Sequence, residues 1–380
     1  MKKDRLFTPG PTMVPEEVLL EMAQPMRHHR TAWYREMAKE LHGLLQYLFQ
    51  TQALCMTFTG SGTSAMEAAI VGCCPSGHKT LVFRNGKFAE RWAKLCKTFD
   101  IDHTVVDLEW GYGVKALDVT KAMNADPKID TVIVVHSETS TTALSDVAAI
   151  AKVTQDRGAL LLVDGITAVG AMPVKMDEWG VDVYVTGSQK AMMLPPGLGF
   201  AAVNDRAWER IDSGKTPTLY NDLKAYRKSH ETFDAPYTPA VSLVRGALSA
   251  LRMIKDYSLE AIWAETAMLA RGTRAAVEAM GLQTFAKDPV DSVTAVLLPA
   301  GVDEGSLRKM MRDRYGFHVA GGQGDLKGRI IRLSHMGYVD ASDTLGAISA
   351  LEISLKCQGF ELEIGSGVAA AQAVFADGVT

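Results

Sequence analysis

Cysteine is scarce in this 380-residue chain: Cys55, Cys73, Cys74, Cys96 and Cys357 form no C-x-x-C pair. Their spacing excludes a disulfide framework and the zinc or redox motifs that need paired thiols. An odd number of scattered cysteines reads instead as reduced, mostly buried thiols. The histidines are equally dispersed, apart from His28–His29, so no metal site is expected. Neither sign of charge dominates: 40 Lys and Arg stand against 44 Asp and Glu, a net charge of −4. That leaves no basic field for a nucleic acid and no acidic tail. No apolar run reaches the roughly 18 residues of a membrane span. Pro and Gly interrupt the basic start MKKDRLFTPGPT before any apolar stretch, so no signal peptide is read and a cytoplasmic location is expected. Internal repeats and low-complexity tracts are missing too.

What is present is an alternation. From about Thr57 to Val203, short apolar runs (TLVF 80–83, TVIVVH 131–136, ALLLVD 159–164, VDVYVTG 181–187, GFAAV 199–203) alternate with helix candidates at Thr63–Cys73, Phe88–Phe99 and Ser145–Arg157. Continuous β-branched runs without a polar face suggest strands buried on both sides, and the helices between them suggest a mainly parallel sheet. The stretch 212–240 is polar and poor in strand pattern. A long helical pattern follows, from Ser242 to about Met280. Then come DSVTAVLLP (291–299), a helix near Glu304–Tyr315, GRIIRLSHMG (328–337) and a final helix from Ala341. The expected fold is α/β. A large domain with a mainly parallel sheet flanked by helices covers 16–259, and a smaller α+β domain covers 260–380. The first 15 residues are expected to pack near the site.

Three local features carry chemistry. The small residues Thr59-Gly60-Ser61-Gly62-Thr63-Ser64 precede a helix, where backbone N–H groups and the positive end of the helix dipole can cradle a phosphate. They match neither G-x-G-x-x-G nor the Walker pattern; alone, a capped turn explains them equally well. Asp164 ends the buried run ALLLVD, where α/β proteins place ligands, although an aspartate capping a turn with Gly165 is the blander account. Lys190 lies among apolar and small residues with no acid nearby in sequence. Burial would lower its proton affinity and make the amine a nucleophile toward an aldehyde; the competing account is a lysine that reaches the surface. Jointly the three match pyridoxal 5'-phosphate, which needs a phosphate cradle, a lysine for its aldehyde and commonly an aspartate for its ring nitrogen.

The motifs TPGP (8–11), TGSGTSAMEAA (59–69), HSETST (136–141), VDGITAVG (163–170), GSQKA (187–191) and PPGLGF (195–200) resemble the class V aminotransferases of PLP fold type I. The branch resembled most is alanine/serine–glyoxylate (or –pyruvate) aminotransferase, and the resemblance runs from Thr8 to the segment around Arg332. It implies Lys190 as the Schiff-base lysine and Asp164 as the partner of the pyridine nitrogen. It implies Ser61, Gly62 and Thr63 at the phosphate, and Phe88 stacked on the ring. Thr139 is implied beside the 3-oxygen, Gln189 as a polar cofactor contact, and Arg332 as the grip on the substrate carboxylate, with Gly10 of the TPGP segment beside the substrate. Thr238 would reach the phosphate of a neighbouring subunit, which implies a homodimer with shared sites. Arg329 is read as a solvated neighbour of Arg332. Two positions depart from the pattern: Thr142 stands where relatives often carry Gly, and Ala168 where some carry a phosphate-binding Ser. The tail 359–380 matches nothing.

The expected function is therefore transamination between a small amino acid (alanine or serine) and glyoxylate or pyruvate. Phosphonate or phosphoserine donors are an alternative that would need an anion site, for which Arg27, His28, His29 and Arg30 are candidates. Cysteine desulfuration would need a cysteine in the loop AGGQGDLKG, which has none. A hydrogenase-associated redox subunit, a label attached to some relatives, would need converging cysteine ligands.

Overall fold

The protein is described from a computed structural model covering residues 3–377; residues 1–2 and 378–380, the end of the unassigned tail, lie outside the described residues. A seven-stranded sheet forms the centre, in the spatial order Leu54–Thr59, Leu198–Val203, Val183–Gly187, Leu160–Asp164, Ile129–Val135, Lys79–Arg84 and His103–Asp107. The strand Leu198–Val203 runs antiparallel to both of its neighbours, and the other pairings are parallel. Side chains alternate across the sheet. Leu161, Val163, Val132 and Val134 enter one core, while Leu160, Leu162, Ile133 and Val135 enter the other. Both faces of the central strands are therefore packed in apolar cores, and the absence of a polar face in the sequence has its cause in helices covering both sides.

Two strands of this large sheet escape the sequence reading. Leu54–Thr59 carries Cys and Met but no Val or Ile, and His103–Asp107 is a half-buried edge. The long helical pattern proposed from Ser242 to Met280 is corrected to two helices, Val241–Tyr257 and Leu259–Ala279. Ser258 breaks it with φ 78°, and its hydroxyl caps the second helix by accepting from Ala261 N at 3.2 Å. That second helix begins in the core of the large sheet at Leu259. It ends in another core, through Leu269, Ala276 and Val277.

A second sheet has the order Arg5–Phe7, Phe317–Gly321, Ile330–Ser334, Val293–Leu297 and Gln283–Thr284. Its first strand comes from the N-terminus and pairs in parallel with Phe317–Val319, and Phe7 meets Phe317 edge-on at 5.6 Å between ring centroids. The helices Glu304–Tyr315 and Ala341–Lys356 lie where the pattern predicts them. The tail holds a further helix, Ser366–Asp377. The buried Glu352 carboxylate accepts from Gly365 N and Gly367 N at its start, and Phe375 packs so close to Gly272 that a Cβ there would overlap its ring. Thr142, at the position where relatives of the resembled family often carry Gly, takes a left-handed backbone conformation with φ 57°. The turn is thus the one glycine would favour, held here by a β-branched residue.

Candidate active site

The C-terminal ends of the parallel strands bring the predicted residues to one edge of the large sheet, as expected for ligand sites in such folds. Asp164 closes Leu160–Asp164, Lys190 follows Val183–Gly187, Thr139 follows Ile129–Val135, and Phe88 opens the helix Lys87–Thr98 after Lys79–Arg84. Ser61 caps the helix Gly62–Cys73, its hydroxyl accepting from Thr63 N at 3.3 Å. Gly62 and Gly187 are needed for this close approach. A Cβ on Gly187 would lie 3.3 Å from Gly62 N, and one on Gly62 would lie 2.8 Å from Ile166 Cδ1.

Lys190 is 8% exposed. Its amine donates to the carbonyl of Pro9, and its own carbonyl accepts from Thr12 Oγ1 at 2.8 Å. The N-terminal segment thus lies directly on the lysine. Gly10, at φ 114°, is where a Cβ would come within 2.6 Å of Lys190 Cδ and Cε. Burial pushes the Lys190 amine down to about 8, the Arg332 and Arg91 charges assist, and Asp164 opposes. Asp164 is itself buried, and burial raises its carboxyl above the usual range. Two donors offset that desolvation: Ile166 N reaches Oδ1 at 3.0 Å and Trp92 Nε1 reaches Oδ2 at 3.0 Å.

On the other side, Thr139 Oγ1 shares a hydrogen bond with Thr167 Oγ1 at 2.8 Å, and the Thr139 carbonyl accepts from Arg332 Nη1 at 2.9 Å. Arg332 also donates Nε and Nη2 to the Gly321 carbonyl, at 3.0 and 2.8 Å. Burial pushes its guanidinium down to about 10, against the favourable fields of Glu138 and Glu304. Among the described residues no carboxylate lies within ion-pair distance of it. Arg329 is exposed, as read from the sequence. Thr238 is not brought to this site within the chain: it is exposed, in an open groove with Arg27, His28 and His29. Of that basic cluster, Arg30 is bound to Asp234 at 2.7 Å and Arg27 stacks on Trp33, which weakens it as an anion site.

Four neighbours went unread in the sequence. Thr167 and Glu138 lie inside the motifs above and Arg91 and Trp92 in the helix expected at Phe88–Phe99, and for Trp92 the signal was its spacing of four from Phe88, which puts both on one face. Arg91 reaches Thr63 Oγ1 at 3.3 Å and covers the Phe88 ring at 5.2 Å.

Pyridoxal phosphate fits this donor set. Gln189 Oε1 is buried without a partner, the lysine amine meets a backbone carbonyl rather than an acid, and the cradle between Gly62 and Gly187 has no room for a Cβ. No group of three or more His, Cys, Asp or Glu among the described residues is arranged to hold a metal ion.

Comparison with known proteins agrees. The chain matches the family "Aminotransferase class-V" over residues 5–340. It is 38% identical to the small subunit of a soluble hydrogenase from Synechococcus sp., with 98% of each chain covered. It is 36% identical to an L-aspartate–glyoxylate aminotransferase from Paracoccus denitrificans and to a serine–glyoxylate aminotransferase from Methylorubrum extorquens, covering 97% of this chain and 95% of each relative. Pyridoxamine–pyruvate aminotransferase from Mesorhizobium loti superposes with a TM-score of 0.94 at 26% identity, over 100% of this chain and 98% of that one. The hydrogenase name finds no support in the thiols: all five cysteines are free, and none belongs, among the described residues, to a group of three or more side chains that could hold a metal ion. The chain belongs to the class V aminotransferases, and it is a pyridoxal-phosphate-dependent transaminase of the fold-type-I architecture.

Proposed function

We propose that this enzyme moves the amino group of a small L-amino acid, alanine or serine, to glyoxylate or pyruvate in a ping-pong cycle. The observation that carries the reading is Arg332: it is buried, three of its N–H donors go to backbone carbonyls, and among the described residues no carboxylate pairs with it directly. A guanidinium held this way has two of its five donors left for a substrate carboxylate. Other nearby cations are engaged, Arg308 by Glu304 and Arg91 by Thr63 and the Phe88 ring. That favours donors with small uncharged side chains over L-aspartate, the donor named for one relative.

In this reading Lys190 anchors the cofactor's aldehyde, and its freed amine then moves the proton at the substrate α-carbon. Asp164 faces the ring nitrogen, while Ser61, Gly62 and Thr63 hold the phosphate. Phe88 covers the ring, Thr139 and Gln189 supply polar contacts, and Gly10 lies beside the substrate. The cofactor supplies an electron sink for the carbanion at that carbon. The large domain is assigned to 16–259 and the small one to 260–380. A homodimer is supported by the exposed Thr238 groove and the neighbouring exposed Met26, Leu219 and Tyr220, through which Thr238 would reach the phosphate of the second copy. A cytoplasmic location is supported by the five free thiols.

The test is the visible spectrum of the purified protein before and after L-alanine or L-serine. A yellow band that bleaches with either donor and returns with glyoxylate or pyruvate is expected. A band that ignores both donors and bleaches with L-aspartate would overturn the choice of donor.

A further inference from the structure

The helix Lys87–Thr98 carries three residues of the site, Phe88, Arg91 and Trp92, and it begins without a side-chain cap of its own. Its N-cap is Gly86, yet the first-turn N–H groups need acceptors. They find them in a segment some fifty residues away. Glu138 Oε2 accepts from Phe88 N at 3.1 Å and Ala89 N at 2.9 Å, and Ser140 Oγ accepts from Lys87 N at 2.9 Å. The other carboxylate oxygen, Oε1, accepts from Ser140 N at 3.0 Å and Ser140 Oγ at 2.6 Å. Gly86 makes the room, since a Cβ there would overlap the Glu138 carboxylate.

Glu138 is fully buried, and among the described residues no cation touches it within ion-pair distance. An isolated buried charge is costly; here four donors and the positive end of a helix dipole offset that cost. Burial still raises its carboxyl above the usual range. The next residue along, Thr139, gives its carbonyl to Arg332 Nη1, and Glu138 is the strongest favourable charge acting on that guanidinium.

We infer that Glu138 is a positioning residue of the transamination site: one buried carboxylate fixes both the helix that presents Phe88 to the cofactor ring and the segment that holds Arg332 for the substrate carboxylate. The inference rests on the roles proposed above for Phe88 and Arg332. It predicts that two binding events with no direct contact to Glu138 weaken together when its charge is removed.

The variant is E138Q, which keeps the shape, removes the negative field at Arg332 and turns an NH2 group toward donors that need an acceptor. Two readouts are independent of turnover. One is the affinity of the apoprotein for pyridoxal phosphate, followed by tryptophan fluorescence. The other is the affinity of the loaded protein for propionate, a carboxylate with no amine to transfer, followed by its visible band. Both are expected to fall by about tenfold, the scale of one lost hydrogen bond to a charged group, with KM for the amino-acid donor rising in step. An E138Q protein with a lower melting temperature but unchanged affinities would make Glu138 a structural cap and overturn the inference. If E138Q does not accumulate folded, S140A carries the same test: it removes the 2.6 Å bond to Oε1 together with the acceptor for Lys87 N, and leaves the charge. About threefold weaker propionate binding is then expected, and unchanged binding overturns the inference. Arg332→Ala separates the two levels. If it leaves propionate binding intact, the proposed site fails. If it abolishes binding while E138Q does not weaken it, only the role of Glu138 fails.

Discussion

Trp92 Nε1 donates a hydrogen bond to Asp164 Oδ2 at 3.0 Å, and both side chains are buried. The indole is rigid and packed in one of the two cores of the large sheet. It therefore fixes the orientation of the carboxylate and stabilises its ionised form against desolvation. An aspartate that faces a pyridinium nitrogen has to be both charged and aimed.

Trp92→Phe retains an aromatic ring and removes the donor. Asp164 Oδ2 then loses its partner, its carboxyl rises further, and affinity for pyridoxal phosphate is expected to drop by about tenfold, the usual scale for a hydrogen bond to a charged group. Titration of the apoprotein with the cofactor measures this. An unchanged dissociation constant would show that Ile166 N alone suffices to hold Asp164.

Lys190 supplies a pH dependence. A neutral amine is the nucleophile, and burial holds this one near 8 rather than at its ordinary value of 10.5. Covalent capture of pyridoxal phosphate by the apoprotein should accelerate as pH rises through about 8 and level off above it. The sign continues in Arg332→Ala: removing a positive neighbour favours the protonated amine, so the midpoint moves upward. A wild-type midpoint near the ordinary lysine value would contradict the buried setting of the amine.

Gly10→Ala is expected to damage the same step. The backbone there has φ 114°, and the new Cβ would press on Lys190 Cδ and Cε at 2.6 Å. Cofactor capture should slow by at least about tenfold. The melting temperature should fall by roughly 1–2 °C, for a left-handed penalty of about 1–2 kcal/mol in a chain of this size. Stopped-flow absorbance and a thermal melt report the two effects separately. Normal capture in the variant would mean that the N-terminal segment yields freely.

Arg332→Ala should raise KM for L-alanine and L-serine alike by about a hundredfold, since a charge-assisted, two-pronged contact with the carboxylate is lost. Steady-state kinetics with several donors provide the check. An effect on one donor alone would assign Arg332 to the side chain rather than to the carboxylate.

The cofactor class was legible in the sequence because its candidate residues are written locally. A lysine among apolar residues, an aspartate ending a β-branched run and a glycine-rich turn before a helix each have a physical meaning within a few residues. The alternation of strands and helices gave the layered fold for the same reason: periodicity is a local property. Ser258 shows the limit, since the apolar period continues across it while its backbone turns and starts a new helix. The helix in the tail was hidden because its small apolar residues gain definition from partners such as Gly272 and Glu352.

What the sequence by itself determined is the cofactor class and the layered α/β architecture, together with the lysine and the aspartate proposed here to hold that cofactor. Tertiary structure decided which groups surround them. Trp92 meets Asp164 across 72 residues and Arg332 meets the Thr139 carbonyl across 193. Glu138 answers the N–H groups of a helix whose own cap position is a glycine. These pairings are hydrogen bonds between buried groups, and burial is a property of the folded chain as a whole. No spacing in the sequence reveals which distant donor a buried acid will find.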